Sequence, residues 1–305
     1  MRHHIPRKHS RETIFRSIAV AGLLLLLAGC TPFVSPSGPE FREVLLQGEG
    51  SEKLLLIDIY GPITNQPILV PNLGIIPGMT ARIRQELELA YDDKNIRGVL
   101  LRINSPGGTL TDSDIIYHSL MEFKKSKKVK ILASLGDVAA SGALYVAMAA
   151  DEIYAHPTTI TGSIGVIMPH MDYTGLMEKL GVKFNPVKSG KHKDFDSSYR
   201  KRTPEEQKIL QTLIDHQHEK FVDVIEKGRG LNRKKVDEFA DGRIFSAEEA
   251  KKLGMIDHIG YLDDALKRLT SLSGFPTSRL VRYANAFLTG NNIYSNSFPV
   301  ELNAR

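Results

Sequence analysis

Cysteine is nearly absent. Cys30 is the only one in 305 residues, so no disulfide can close within the chain. Neither a paired-Cys nor a His-x-x-x-His pattern offers a metal site, and no cofactor is expected. A pervasive basic charge is also missing. Residues 1–29 hold five of the 40 Lys and Arg and one of the 35 Asp and Glu, which leaves 35 against 34. A remainder near +1 has no electrostatic footprint for nucleic acid, and none is expected as a partner. No internal repeat is found. The apolar run Ile18–Gly29 has twelve residues, short of the ~20 that a membrane-spanning helix needs.

That short run has a different use. Arg2, Arg7, Lys8, Arg11 and Arg16 precede it, the order of a secretory signal. It ends in Leu27-Ala28-Gly29-Cys30, the form of a bacterial lipoprotein cleavage site, which makes Cys30 the expected lipidated first residue of the mature chain. The expected segments are a signal at 1–29, a lipidated cysteine and flexible tether at 30–51, a catalytic domain at 52–272 and a partly disordered extension at 273–305. The expected location is the bacterial cell envelope, with the domain outside the cytoplasm and held to the membrane through lipid on Cys30.

Between residues 52 and 272 aliphatic runs alternate with amphipathic ones, the signature of an α/β domain. Strands are expected at Leu54–Ile59, Val99–Ile103, Val129–Leu135, Glu152–Ala155 and Ile164–Met168. Helices are expected at Met79–Tyr91, Ser113–Lys124 and Pro204–Gly228, the last opened by Thr203, Pro204 and Glu206 in capping positions. A short strand is expected at Leu280–Tyr283.

Two strand ends carry chemistry. Val99–Ile103 runs into Asn104-Ser105-Pro106-Gly107-Gly108, a turn whose glycines can expose backbone N–H groups to an oxyanion. Val129–Leu135 is followed by Ala139-Ala140-Ser141-Gly142, with Ser141 where a small-residue helix, Gly142–Ala150, begins. A helix N-terminus stabilises negative charge on a serine oxygen. Taken singly, a Pro-Gly-Gly turn commonly just ends a strand, and a serine at a helix start commonly caps it.

The two strings stand in order with Thr161-Gly162-Ser163-Ile164-Gly165-Val166, with Lys188-Ser189-Gly190-Lys191-His192-Lys193-Asp194 and with the block from Asp241 to Asp257. Together they resemble the bacterial signal peptide peptidase A family, also called protease IV, in its short single-copy form. The resemblance implies a Clp protease/crotonase-like α/β fold of repeated β-β-α units. It also implies a serine endopeptidase with a Ser141/Lys193 dyad, acting through an acyl-enzyme on remnant signal peptides and other short or unfolded hydrophobic peptides. Ser163 would orient the lysine. The oxyanion donor would be the N–H of Gly108, with that of Gly142 as the second candidate. Short members form dome-like rings whose sites take serine and lysine from neighbouring subunits, so a ring-shaped homo-oligomer is the expected partner.

Spacing alone does not choose the base. A free lysine has a pKa of about 10.4, and lowering it by roughly 3 units costs on the order of 4 kcal/mol. Lys183, Lys188 and Lys191 crowd the same stretch, and Lys188 stays as the alternative lysine. The Clp protease arrangement would use histidine and aspartate instead, with His156 or His170 as base. A crotonase-like non-protease would need no nucleophilic serine.

Overall fold

The structure, a computed structural model, describes residues 41–70, 74–284 and 292–294. The signal segment, Cys30, the first part of the tether (31–40) and most of the C-terminal extension lie outside the described residues. The chain runs β1 (Arg42–Gln47), β2 (Lys53–Tyr60), β3 (Ile68–Val70), β4 (Gly74–Ile76), α1 (Met79–Asp92), β5 (Ile96–Ser105), α2 (Leu110–Lys127), β6 (Lys130–Ala140) and α3 (Gly142–Ala147). It continues through β7 (Glu152–Ala155), β8 (Ile160–Gly162), α4 (Thr174–Leu180), α5 (Pro204–Arg229), α6 (Arg233–Asp237), β9 (Ile244–Ser246), α7 (Ala247–Leu253), β10 (His258–Ile259), α8 (Leu262–Ser273) and β11 (Arg279–Ala284).

The class is α/β, as expected. Among the described residues nine strands form one sheet in the order β1-β11-β2-β5-β6-β7-β10, with β8 beside the end of β6 and β9 beside β8. From β11 to β10 the neighbours run parallel; β1 and β9 pair antiparallel. A parallel sheet covered on both faces wants strands that are apolar on both sides, which is why β2, β5 and β6 are aliphatic runs. Leu55, Ile57 and Ile59 enter the core shared with α1, α2, α3 and α5, while Leu54 and Leu56 pack on the other face against Leu262, Leu266 and Leu269 of α8. Thr203 and Glu206 form a reciprocal capping box at the start of α5, and Gly230 ends it in the left-handed conformation.

Three expectations change. The strand expected at Ile164–Met168 is absent: the pairing with β6 ends at Gly162, Ser163 turns at φ 52°, and the chain leaves the sheet with Ile167 and Met168 exposed. The helix after Ser141 is shorter, Gly142–Ala147. The sheet also reaches beyond 52–272 at both ends. β11 lies between β1 and β2 with Leu280 and Val281 buried, and β1 comes from the stretch assigned to the tether.

Candidate active site

Ser141 follows directly on β6 and takes φ 53°, ψ −126°, a region that a side chain other than glycine's enters at a cost of about 1–3 kcal/mol. The surroundings hold it there. Its N–H donates to the Gly162 carbonyl at 2.8 Å, and its carbonyl accepts from the Tyr145 N–H at 3.0 Å. Every residue of α3 is buried, so the helix start cannot shift to relieve the strain. The side chain makes no cap hydrogen bond, which removes the ordinary reason for a serine at this place.

The glycine turn after β5 closes over this point. A Cβ on Gly107, which has φ 95°, would stand 2.7 Å from the Gly142 nitrogen and 2.9 Å from the Ser141 Cβ, so only glycine lets the two segments meet. Gly108 lies against Ile63, where a Cβ would fall 2.0 Å from the carbonyl oxygen. Ile63 donates to the Gly107 carbonyl and accepts from the Thr109 N–H, and in such a parallel bridge the N–H of Gly108 turns away from Ile63. The Gly108 nitrogen is 3.3 Å from where a Cβ on Gly142 would stand. The Gly142 N–H is the first of α3 and has no acceptor within the helix. Two backbone donors therefore flank Ser141.

Polar residues that sequence reasoning passed over build this turn. Buried Ser105 accepts from the Gly107 N–H at 3.1 Å. Asn104 accepts from the Val138 N–H at 3.2 Å and donates to Asp137 at 3.0 Å, clamping the irregular end of β6 to β5. Thr161 donates to the Ala139 carbonyl at 2.6 Å, and the Ser113 hydroxyl lies under Gly142. Each acts between elements distant in sequence, and a lone Ser, Thr or Asn in a strand or helix gives no local sign of that.

Ser163 follows Gly162, whose carbonyl holds the Ser141 N–H, and donates its own N–H to the Arg243 carbonyl at 2.7 Å. Ser141, Gly142, Gly107, Gly108 and Ser163 thus come together. Lys193 does not join them within one chain: among the described residues neither the Lys193 ammonium nor the Ser141 hydroxyl has a hydrogen-bond partner, and Lys193 is exposed. Its neighbours are tied to one another. Lys188 pairs with Asp194 at 2.6 Å, Arg200 with Asp194 and Glu206, Lys191 with Glu205, and Arg202 and His170 with Asp196. Arg200 and then Lys188 hold the Asp194 carboxyl far below the usual range. Of the alternatives, Lys188 and His170 are engaged in these pairs, and His156 follows β7 with its ring against Tyr261.

The segment from Gly165 to Arg202 has no core of its own. No residue of α4 is buried, and Ile167, Met171, Leu176, Leu180 and Val187 are each more than half exposed. Ion pairs hold this apolar arm in shape in place of a core.

No group of three or more metal-ligating side chains occurs among the described residues, and no helix there is long and apolar enough to cross a membrane. Residues 123–275 match the profile of peptidase family S49. A protein of Synechocystis sp. that bears the name of a protease is 44% identical over 207 residues, 68% of this chain and 74% of its own. One of Enterococcus faecium named as a signal peptide peptidase is 38% identical over 200 residues, 66% of this chain and 58% of its own. The solved structure of a ClpP1 mutant from Listeria monocytogenes aligns with 70% of this chain and 94% of its own at 19% identity, with a TM-score of 0.45.

Proposed function

Because the chain belongs to peptidase family S49, a family of serine proteases, we propose that it cleaves peptides through an acyl-enzyme, with Ser141 as nucleophile and Lys193 as base. The observation that carries this reading is the strained Ser141 backbone, which leaves the hydroxyl free of a capping role between the Gly108 and Gly142 N–H groups. The base, neutral, takes the Ser141 proton as the oxygen attacks the peptide carbonyl. The oxyanion that forms accepts from the two backbone donors, each worth about 2.7–4 kcal/mol in a site of this kind. The same proton passes to the leaving amine, and water then releases the acyl group.

A lysine acts as base only when it is desolvated or crowded by other cations. Exposed Lys193 therefore needs a covering surface, and the apolar arm that carries it supplies the reason for one. In our reading a second copy covers the arm and brings Lys193 to its own Ser141 and Ser163, so that activity requires a ring of subunits. Lipid on Cys30 would hold that ring to the membrane surface of the cell envelope, and hydrophobic peptides, remnant signal peptides among them, are the substrates. Mass spectrometry of the mature chain tests the anchor: an unmodified Cys30 contradicts it. Labelling by a serine-directed phosphonate tests the site. Wild type should label at Ser141, Ser141→Ala not at all, and Lys193→Ala far more slowly; label on Ser141→Ala would dismiss the nucleophile.

A further inference from the structure

From Ile59 to Ala81 the chain has no Asp, Glu, Lys or Arg, although these make up 25% of the protein. The middle of this stretch is the hairpin of β3 and β4, in which Ile68 pairs with Ile76 and Leu69 with Ile75. Neighbours in a strand face opposite ways, so apolar pairs stand on both faces of the hairpin. Ile68, Leu69 and Ile75 are each more than half exposed. A two-stranded hairpin is marginal in water by itself, and one that is apolar on both faces gains most from an apolar medium around it.

The root of the hairpin is firmly held. The Met79 N–H donates to the Thr64 carbonyl at 2.9 Å and the Ala81 N–H to the Asn65 side chain at 3.1 Å, which closes its two ends on each other. Asp112, in the first turn of α2, accepts from the Asn65 N–H at 3.1 Å and from the Thr80 hydroxyl at 2.9 Å. With Ile63 bridged to Gly108, these bonds fix the hairpin at the edge of the sheet where β2 and β5 end. The N-terminal segment enters at the same edge. β1 runs antiparallel to β11 and β11 parallel to β2, so Arg42, opposite Ala284, begins β1 there. Phe41 comes eleven residues after Cys30, a reach of at most about 40 Å.

We propose that the β3–β4 hairpin is a second membrane contact, which dips Ile68, Leu69 and Ile75 into the boundary between headgroups and acyl chains of the bilayer that holds Cys30. The proposal rests on the reading of Cys30 as lipidated and not on the role of Ser141. Strands of three residues are about 10 Å long, which matches the 5–10 Å to which interfacial apolar faces are buried. Charge carried into a bilayer is costly, and this stretch carries none. The arm assigned above to a second copy is different, because ion pairs run through it. A lipid on a tether limits distance but not orientation. The rooted hairpin supplies orientation: it turns toward the bilayer the edge of the sheet at which β6 ends and Ser141 follows.

The protein has no tryptophan, so one introduced residue reports its own surroundings. Leu69→Trp and Ile75→Trp place it on the hairpin. Tyr91→Trp is the control, exposed at the end of α1 on the opposite edge, where Asp93 pairs with Lys53 at the start of β2. Each full-length variant is reconstituted from its membrane fraction into phosphatidylcholine–phosphatidylglycerol vesicles, with ordinary or with brominated acyl chains. Brominated chains should quench Leu69→Trp and Ile75→Trp by at least half and leave Tyr91→Trp unchanged. Quenching of the hairpin variants no greater than that of Tyr91→Trp would overturn the proposal. A blue-shifted hairpin tryptophan that brominated lipid does not quench would also overturn it, and would assign the hairpin to a second copy or a bound peptide. The mass of the same mature chains reads the anchor separately: lipid on Cys30 with an unquenched hairpin leaves the anchor and removes only the second contact.

Discussion

Ser141 holds a left-handed φ that favours glycine, so its side chain costs stability at the place where the proposed mechanism uses its hydroxyl. Ser141→Gly should therefore exceed Ser141→Ala in unfolding free energy by about 1 kcal/mol, while both lack peptidase activity. Thermal unfolding and a peptide assay check this, and a glycine variant no more stable than the alanine one would contradict the strain. A second residue in tension is Glu86 on α1, 2% exposed, paired with Arg82 through one oxygen and without a partner on the other. Burial, only partly offset by Arg82, raises its pKa to about 7. A raised folded-state pKa favours the protonated form, so its contribution is complete below about pH 4.5 and is lost as pH rises through 7. Between pH 5 and pH 8 wild type should lose on the order of 3 kcal/mol that Glu86→Gln keeps. Parallel pH profiles of the two in urea unfolding would refute this.

The elements differ in how openly the sequence states them. β2, β5 and β7 are aliphatic or bounded runs whose burial needs no partner information, and the Thr203, Pro204 and Glu206 signature marks the start of α5. β1 and β11 are harder, because their place in the sheet depends on pairing across more than two hundred residues of chain. The strand expected at Ile164–Met168 has the right residues but follows Ser163, whose turn takes the chain off the sheet. The glycine turn and Ser141 were legible from local chemistry, whereas Ser105, Asn104 and Ser113 act through contacts that no local pattern records. Apolar residues of the arm read like core residues until burial is seen. Since α4 buries nothing, Leu176→Ser and Leu180→Ser should change the unfolding free energy of a subunit by no more than about 0.5 kcal/mol while weakening self-association. Analytical ultracentrifugation checks this, and an unchanged association constant would remove the arm from the interface.

At the scale of the whole molecule, one chain carries a prepared serine and two backbone donors, and an exposed lysine on a segment without a core. The proposed function requires copies to share these parts, and co-expression of Ser141→Ala with Lys193→Ala under two affinity tags tests that requirement most directly. Each variant alone should be inactive. Mixed oligomers recovered through both tags should regain part of the wild-type activity, because some interfaces then pair an intact Ser141 with an intact Lys193. Mixed oligomers that assemble and remain inactive would contradict the shared site.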